Sequence, residues 1–240
     1  LLEKQKMPLW DYVILTASNE SQAQSYRMQI QYRIDHGMLP KSIHYAVLPD
    51  PDGKRVGSGG ATLNVLRYIH QDAGSFDDKR ILVIHSGGDS KRVPQYSACG
   101  KLFSPVPRLL PNGRRSTLFD EFMISMCGVA ARIRAGMLVC SGDVLLLFNP
   151  LQIDFYGSGA AALSIKEPAE IGKNHGVYRV DEQGNVGGFL HKKTVDQLHE
   201  LQAADENGNV DIDTGAVIMD TDLLKALYKL VDTPEQFDAY

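Results

Sequence analysis

Cysteine and tryptophan are scarce in this sequence of 240 residues, which carries three of the first and one of the second. Cys99, Cys127 and Cys140 are too few and too scattered for a disulfide framework or a zinc site. They are expected to be reduced, two of them in core elements. No apolar stretch approaches the ~20 residues needed to span a bilayer, and no signal peptide opens the chain. A cytoplasmic protein with no membrane partner is therefore expected. An excess of positive charge is missing too: 25 Lys and Arg stand against 29 Asp and Glu, giving a net charge of -4 and a pI near 6.0. That balance argues against nucleic acid as the main partner and confines any cationic site to one locality. Internal repeats, low-complexity tracts and obvious linkers are absent, so residues 1–240 read as a single domain. The chain starts at Leu1 rather than Met and stops at Tyr240 soon after a helix-like segment, from which a fragment of a longer chain is expected.

What is present is an alternation of strand and helix signals. Residues 12–16 (YVILT) form a β-rich apolar run ending in Ala-Ser-Asn. Asn19, with Gln22 three residues on, has the pattern of a capping box and predicts a helix over 20–36, closed by Gly37. A second strand is expected over 43–48, then the turn-rich Pro-Asp-Pro-Asp-Gly. "VGSGGATLNVLRYIH" reads as a glycine loop feeding an amphipathic helix with Leu63, Leu66 and Ile69 on one face. A strand follows over 81–85. The spacing of Leu118, Phe122, Met126, Val129 and Ile133 predicts a helix over 116–133, and 137–140 is another apolar strand. This alternation implies right-handed βαβ units and a mostly parallel sheet. The grain then changes: "HGVYRVDEQGNVGGFLHKK" has the form of a β-hairpin. A helix near 195–203, a strand over 216–219 and a helix over 222–231 complete an α/β sandwich with a partly antiparallel second half.

Four features suggest chemistry, and three lie directly after an apolar strand, where open parallel sheets bind ligands. In "VIHSGGDSKRVPQYSACGKLFSPVP", Gly87 and Gly88 let the backbone turn its N–H groups toward a phosphate. Arg92 supplies a planar fork of donors and Lys101 a compact charge, while Lys91 reads as surface charge. The bland alternative is a glycine turn with solvated cations. Asp143, in Ser141-Gly142-Asp143 at a strand end, suits Mg2+, a hard cation preferring oxygen ligands; the bland alternative, which taken alone accounts for it more readily, is a surface aspartate in a turn. In "DIDTGAVIMD", Asp213 could complete a magnesium site, with Asp211 as a competitor that could simply face solvent. The "VGSGGATL" loop opens a helix whose N-terminus can bind an anion or a nucleotide edge, or is a packed turn. It has neither the Walker ending nor the Rossmann spacing. Cations beside acidic metal candidates are what phosphoryl or nucleotidyl transfer requires. No Ser-His-Asp arrangement and no cysteine nucleophile with a clear base stands out.

"SGGDSKRVPQYSACGKLFSPVP" resembles the signature loop of sugar-nucleotide pyrophosphorylases, and "SGDV" and "DTGAVIMD" resemble their metal-binding elements. Together with "RVGSGGATLNVL", "HGVY" and "FLHKKT", these are similar to the N-terminal guanylyltransferase region of the L-fucokinase/GDP-L-fucose pyrophosphorylase family. The resemblance implies a glycosyltransferase-A-like (Rossmann-like) nucleotidyltransferase fold with a mixed, mostly parallel sheet. It implies the reaction of GTP with L-fucose 1-phosphate to give GDP-L-fucose and pyrophosphate with Mg2+, as in L-fucose salvage. By the same resemblance Arg92 would clamp the triphosphate and Lys101 would neutralise charge at the attacked α-phosphate or the sugar phosphate. Asp143 and Asp213 would hold Mg2+. Gly57, Ser58, Gly59 and Gly60, with Ser86, Gly87 and Gly88, would line the nucleotide pocket. His175 would lie near the sugar and Lys193 near its phosphate, although Thr194 stands where the family pattern has proline. A strand-helix-strand-helix stretch precedes the signature loop, which in most such enzymes follows the first strand. Longer family members carry a carboxy-terminal sugar kinase, to which these residues do not correspond. Two other readings stay open: an L-fucokinase using "GSGGAT" as its ATP loop, and a non-catalytic nucleotide-sugar-binding module.

Overall fold

The computed structural model describes residues 9–86, 100–152, 155 and 158–239. The chain divides into two compact units, the first formed by 1–161 with 218–240 and the second by 162–217.

In the first unit the apolar runs pair as parallel strands. These are β1 (Tyr12–Ala17), β2 (His44–Pro49), β3 (Arg80–His85) and β6 (Gly136–Ser141), in the order β2-β1-β3-β6. Val13, Ile14 and Leu15 on β1 and Ile81 through Ile84 on β3 are wholly buried, as expected of central parallel strands covered on both faces. Helices α1 (Glu20–Asp35), α2 (Gly57–Ala73) and α3 (Leu118–Ala130) occur between these strands in the chain. Helix α1 starts where expected: Asn19 Oδ1 accepts from the Gln22 amide at 2.9 Å, and Gln22 Oε1 accepts from the Ser18 amide at 2.8 Å. On α2 the buried face is Ala61, Val65, Leu66 and Ile69, and Leu63 is only half-buried.

Helix α3 begins two residues later than its apolar spacing suggests. Thr117 is its N-cap, joined to Asp120 in a reciprocal capping box. Ser116 belongs instead to β5 (Arg115–Thr117), which pairs antiparallel with β4 (Pro105–Leu109). Asp120 does a second job. Its Oδ1 accepts from Arg33 Nε at 2.7 Å, with both side chains nearly inaccessible, and the guanidinium lies 5.1 Å from the Phe103 ring centroid and 5.6 Å from that of Phe119. This buried pair ties α1 to α3. Helices α6 (Thr221–Tyr228) and α7 (Pro234–Ala239) complete the unit, with Tyr228 stacked on His70 at 4.2 Å. Of the cysteines, Cys140 is buried and Cys127 is exposed on α3, so only one described cysteine sits in the core; Cys99 lies outside the described residues.

The second unit is antiparallel where its registers are resolved. The expected hairpin is formed by β8 (Gly176–Val180) and β9 (Val186–His191). The Asp181 carboxylate closes its turn by accepting from the Gln183 and Asn185 amides at 3.0 and 2.7 Å. Strand β8 also pairs antiparallel with β10 (Asn209–Met219), which is longer than the sequence suggests, and β7 (Ala160–Pro168) pairs with β10 as well. Ala169, Val177, Leu198, Ala203, Val210 and Ile212 make a small separate core. A short helix, α4 (Ala169–Gly172), follows β7, and helix α5 (Val195–Glu200) starts at Thr194, which forms a capping box with Gln197. That cap is the local reason for threonine at this position: its hydroxyl accepts from the Gln197 amide, which a proline side chain cannot do. Among the described residues no helix is long and apolar enough to cross a membrane.

Candidate active site

The carboxyl ends of β1, β3 and β6 converge. Ser86, just past β3, donates its hydroxyl to the Thr16 carbonyl on β1 at 2.9 Å. Gly142, just past β6, donates its amide to the His85 carbonyl at 2.8 Å. A Cβ at Gly142 would lie 2.9 Å from both that carbonyl and the Ser86 Cβ, so the close approach of the two strand ends requires glycine. Asp143 follows directly and projects half-exposed beyond the sheet. Its Oδ1 accepts from the Ser141 hydroxyl at 2.7 Å, and its Oδ2 lies 3.5 Å from Lys101 Nζ. The Ser141 hydrogen bond holds the carboxyl below its usual range; partial burial opposes this and Lys101 adds to it. Asp143 is therefore an anion at neutral pH, with a cation as neighbour.

Lys101 owes its position to the residues beside it. It opens a short 3-10 turn whose next residues, Leu102 and Phe103, are buried as anchors. Gly100 has φ +67° and no room for a side chain, because a Cβ there would overlap the Tyr26 hydroxyl. Tyr26 is itself fully buried on α1 and donates to the Ser86 carbonyl at 3.1 Å. One tyrosine thus holds the chain on both sides of 87–99. Arg92, Gly87 and Gly88 lie outside the described residues.

Beside this edge a cleft of about 200 Å³ is walled by Thr16, Asp50, Arg55, Gly57, Ser58 and His85, among others. Gly57 opens α2 at φ +69°, with no side-chain cap on Val56 before it. The structure places Gly57 and Ser58 in this wall. Gly60 lines another hollow, with Val56 and Leu63, and a Cβ added at Gly59 would meet nothing within 4 Å. His85 is the floor that sequence reasoning did not single out. Its Nδ1 is 3.1 Å from the Thr16 hydroxyl and its Nε2 is 2.9 Å from that of Thr62. Thr62 gives its own hydrogen to the Ser58 carbonyl at 2.9 Å, so it accepts from Nε2–H, and Nδ1 accepts from Thr16. Burial pushes the imidazole down to about 4, which keeps it neutral near pH 7.

The second unit holds the remaining candidates. Asp213 Oδ1 accepts from the Tyr178 hydroxyl at 2.7 Å and the Gly215 amide at 2.8 Å. Asp211 does not face solvent: it is 8% exposed and accepts from Ser164 at 2.9 Å and Lys166 Nζ at 3.0 Å. Its charge is committed to that pair, which separates it from Asp213. His175 is exposed and Lys193 half-buried. Register brings them close, because the Lys192 amide donates to the His175 carbonyl at 3.0 Å and Asp213 is one step along β10 from Ile212, the partner of Val177. His175, Lys193 and Asp213 therefore share one end of the antiparallel strands. Among the described residues no three His, Cys, Asp or Glu side chains cluster closely enough to hold a metal ion.

Residues 73–239 match the family model described as the fucose pyrophosphorylase domain. Over 88% of its length the chain is 31% identical to a bifunctional fucokinase/GDP-fucose pyrophosphorylase of Arabidopsis thaliana. It is 31% identical over 81% of its length to a fucose-1-phosphate guanylyltransferase of Mus musculus, and 30% identical over 83% to the Homo sapiens protein of the same name. The alignments span only 23% of the plant protein and 35% of each mammalian one. Matched over most of its length by the family model, the chain belongs to the fucose pyrophosphorylase domain family.

Proposed function

We propose that this chain carries out nucleotidyl transfer, joining GTP to L-fucose 1-phosphate to give GDP-L-fucose and pyrophosphate. The observation that carries the reading is the meeting of Lys101 with Asp143 beyond the ends of β3 and β6, next to a glycine-opened cleft. A phosphate monoester has a second pKa near 6, so the attacking oxygen of the sugar phosphate is already largely anionic at neutral pH. No general base is needed, which agrees with a neutral, doubly hydrogen-bonded His85 in the wall. The sugar-phosphate oxygen bonds to the α-phosphorus of GTP while the bond from that phosphorus to the bridging oxygen breaks. The electron pair departs with pyrophosphate. Lys101 donates N–H groups to the phosphate oxygens on which charge accumulates, and Arg92 clamps the triphosphate.

Mg2+ suits this donor set. It commonly takes one or two carboxylates and completes its shell with water and substrate phosphates, so a dedicated cage of protein ligands is not required. Asp143, anionic and projecting beyond the sheet, would hold it, and the ion would supply charge neutralisation at the phosphates. Asp213, kept oriented by Tyr178, is a second candidate within its own unit.

The test is pyrophosphate release from GTP, Mg2+ and a panel of sugar 1-phosphates. Turnover with L-fucose 1-phosphate above the other sugars is the expected result. Phosphate transfer from ATP to free L-fucose would favour the kinase reading, and binding without turnover would favour a sugar-nucleotide-binding module.

A further inference from the structure

The cleft beside the strand ends is too small for a whole nucleotide. At about 200 Å³ it falls below the ~300–1,000 Å³ of pockets that enclose a drug-sized ligand, and it suits one flat ring system. Most of its polar wall is already spent. Thr16, His85, Thr62 and the Ser58 carbonyl form a closed chain of hydrogen bonds, and the Ser18 amide and hydroxyl both donate to Gln22 Oε1 at 2.8 and 3.1 Å. Asp50 is different. Its amide continues the β2–β1 ladder by donating to the Ala17 carbonyl at 2.8 Å, which fixes the residue at the rim. Its carboxylate is half-buried in the wall, and among the described residues no hydrogen-bond donor reaches it. Burial raises its pKa while the Arg55 guanidinium pulls the other way. A partly desolvated carboxylate without a donor is costly unless a ligand supplies one.

We propose that Asp50 selects the base: its two carboxylate oxygens accept the ring N–H and exocyclic amine of a 2-amino-6-oxopurine lying in the cleft over His85. This rests on the nucleotidyltransferase reading above and deepens it by naming what distinguishes guanine from other bases. Guanine presents those two donors side by side. Hypoxanthine lacks the amine, and adenine presents a ring acceptor where guanine has the N–H, facing the carboxylate with a like partner. A site built to satisfy a polar group discriminates strongly against the analogue that leaves it unpaired. A hydrogen bond to a charged group corresponds to roughly 10- to 100-fold in affinity.

The experiment compares GTP, ITP and ATP in the unaltered chain and in Asp50→Asn, by calorimetric binding and by pyrophosphate release with L-fucose 1-phosphate. The unaltered chain should favour GTP over ITP by about 10- to 100-fold, with ATP weaker still. In Asp50→Asn the gap between GTP and ITP should collapse through a rise in KM for GTP rather than a fall in kcat, because the base contact is equal in ground and transition states. The KM for the sugar phosphate should stay the same. Equal binding of GTP and ITP by the unaltered chain overturns the inference, as does an unchanged GTP-to-ITP ratio in Asp50→Asn, or failure of all three nucleotides to bind. Selective GTP binding lost in Asp50→Asn, without turnover in either protein, upholds the base site and overturns the transferase reading.

Discussion

One carboxylate from each unit, Asp143 and Asp211, makes an instructive contrast. In the first, Asp143 follows a parallel strand that has already ended, and its side chain stays 52% exposed beside a lysine. In the second, Asp211 lies within a long antiparallel strand, and its side chain is 12% exposed beneath Lys166. A parallel sheet delivers its strand ends to one edge, where side chains need not pack and stay available to a ligand. Within an antiparallel strand, an acid on the covered face must find a partner from its own fold, and Asp211 has found two. Between these two acids, exposure beside a lysine leaves Asp143 available to a ligand, while burial beside one makes Asp211 part of the fold.

Removing the buried ion pair of the first unit should have the largest effect. Arg33→Ala leaves Asp120 charged and buried, and unfolding in urea should show a loss of about 3–5 kcal/mol. At the sheet edge the damage should fall on turnover instead. Lys101→Ala and Asp143→Ala should each lower kcat roughly 100- to 1,000-fold with circular dichroism unchanged. Full turnover in either variant would contradict the proposed site. The second unit offers a crossed comparison. Asp211→Ala should cost about 1–2 kcal/mol, chiefly by leaving Ser164 without its acceptor, since Lys166 keeps Asp205 at 3.7 Å, whereas Asp213→Ala should cost about 1 kcal/mol and act mainly on turnover. If Asp211→Ala instead spares stability and removes activity, the two acids have exchanged roles.

The smallest effect concerns pH. Burial lowers the His85 imidazole from 6.5 to about 4, so between those values the unfolded chain takes up a proton that the folded chain refuses. This contribution is fully present above about 6.5 and is lost as the pH falls toward 4. Urea midpoints measured over that range should therefore decline more steeply for the unaltered chain than for His85→Gln.

Local patterns made much of this legible. The Asn19–Gln22 cap and the turn between β8 and β9 are written in adjacent residues and fold as read, while the α3 periodicity finds the helix but not its ends, which lie at Leu118 and Ala130. The β4–β5 hairpin was hidden because Pro105 and Pro107 suppress a strand signal, and β7 because its first three residues are all alanine. Asp211 and Asp213 share a strand face by alternation, so spacing cannot rank them; Lys166, distant in sequence, does. For the same reason Asp50 and His85 carried no signal: the groups that give them meaning, Thr16, Thr62 and Arg55, come from separate elements that only the fold assembles.

The fixed imidazole of His85 also provides a spectroscopic handle. With one ring nitrogen always carrying hydrogen and the other always bare, its nitrogen resonances should stay well apart and nearly stationary from pH 6 to 8. Any molecule settling on the ring would move them, so nitrogen-15 labelling of histidine would give this protein an intrinsic reporter of cleft occupancy.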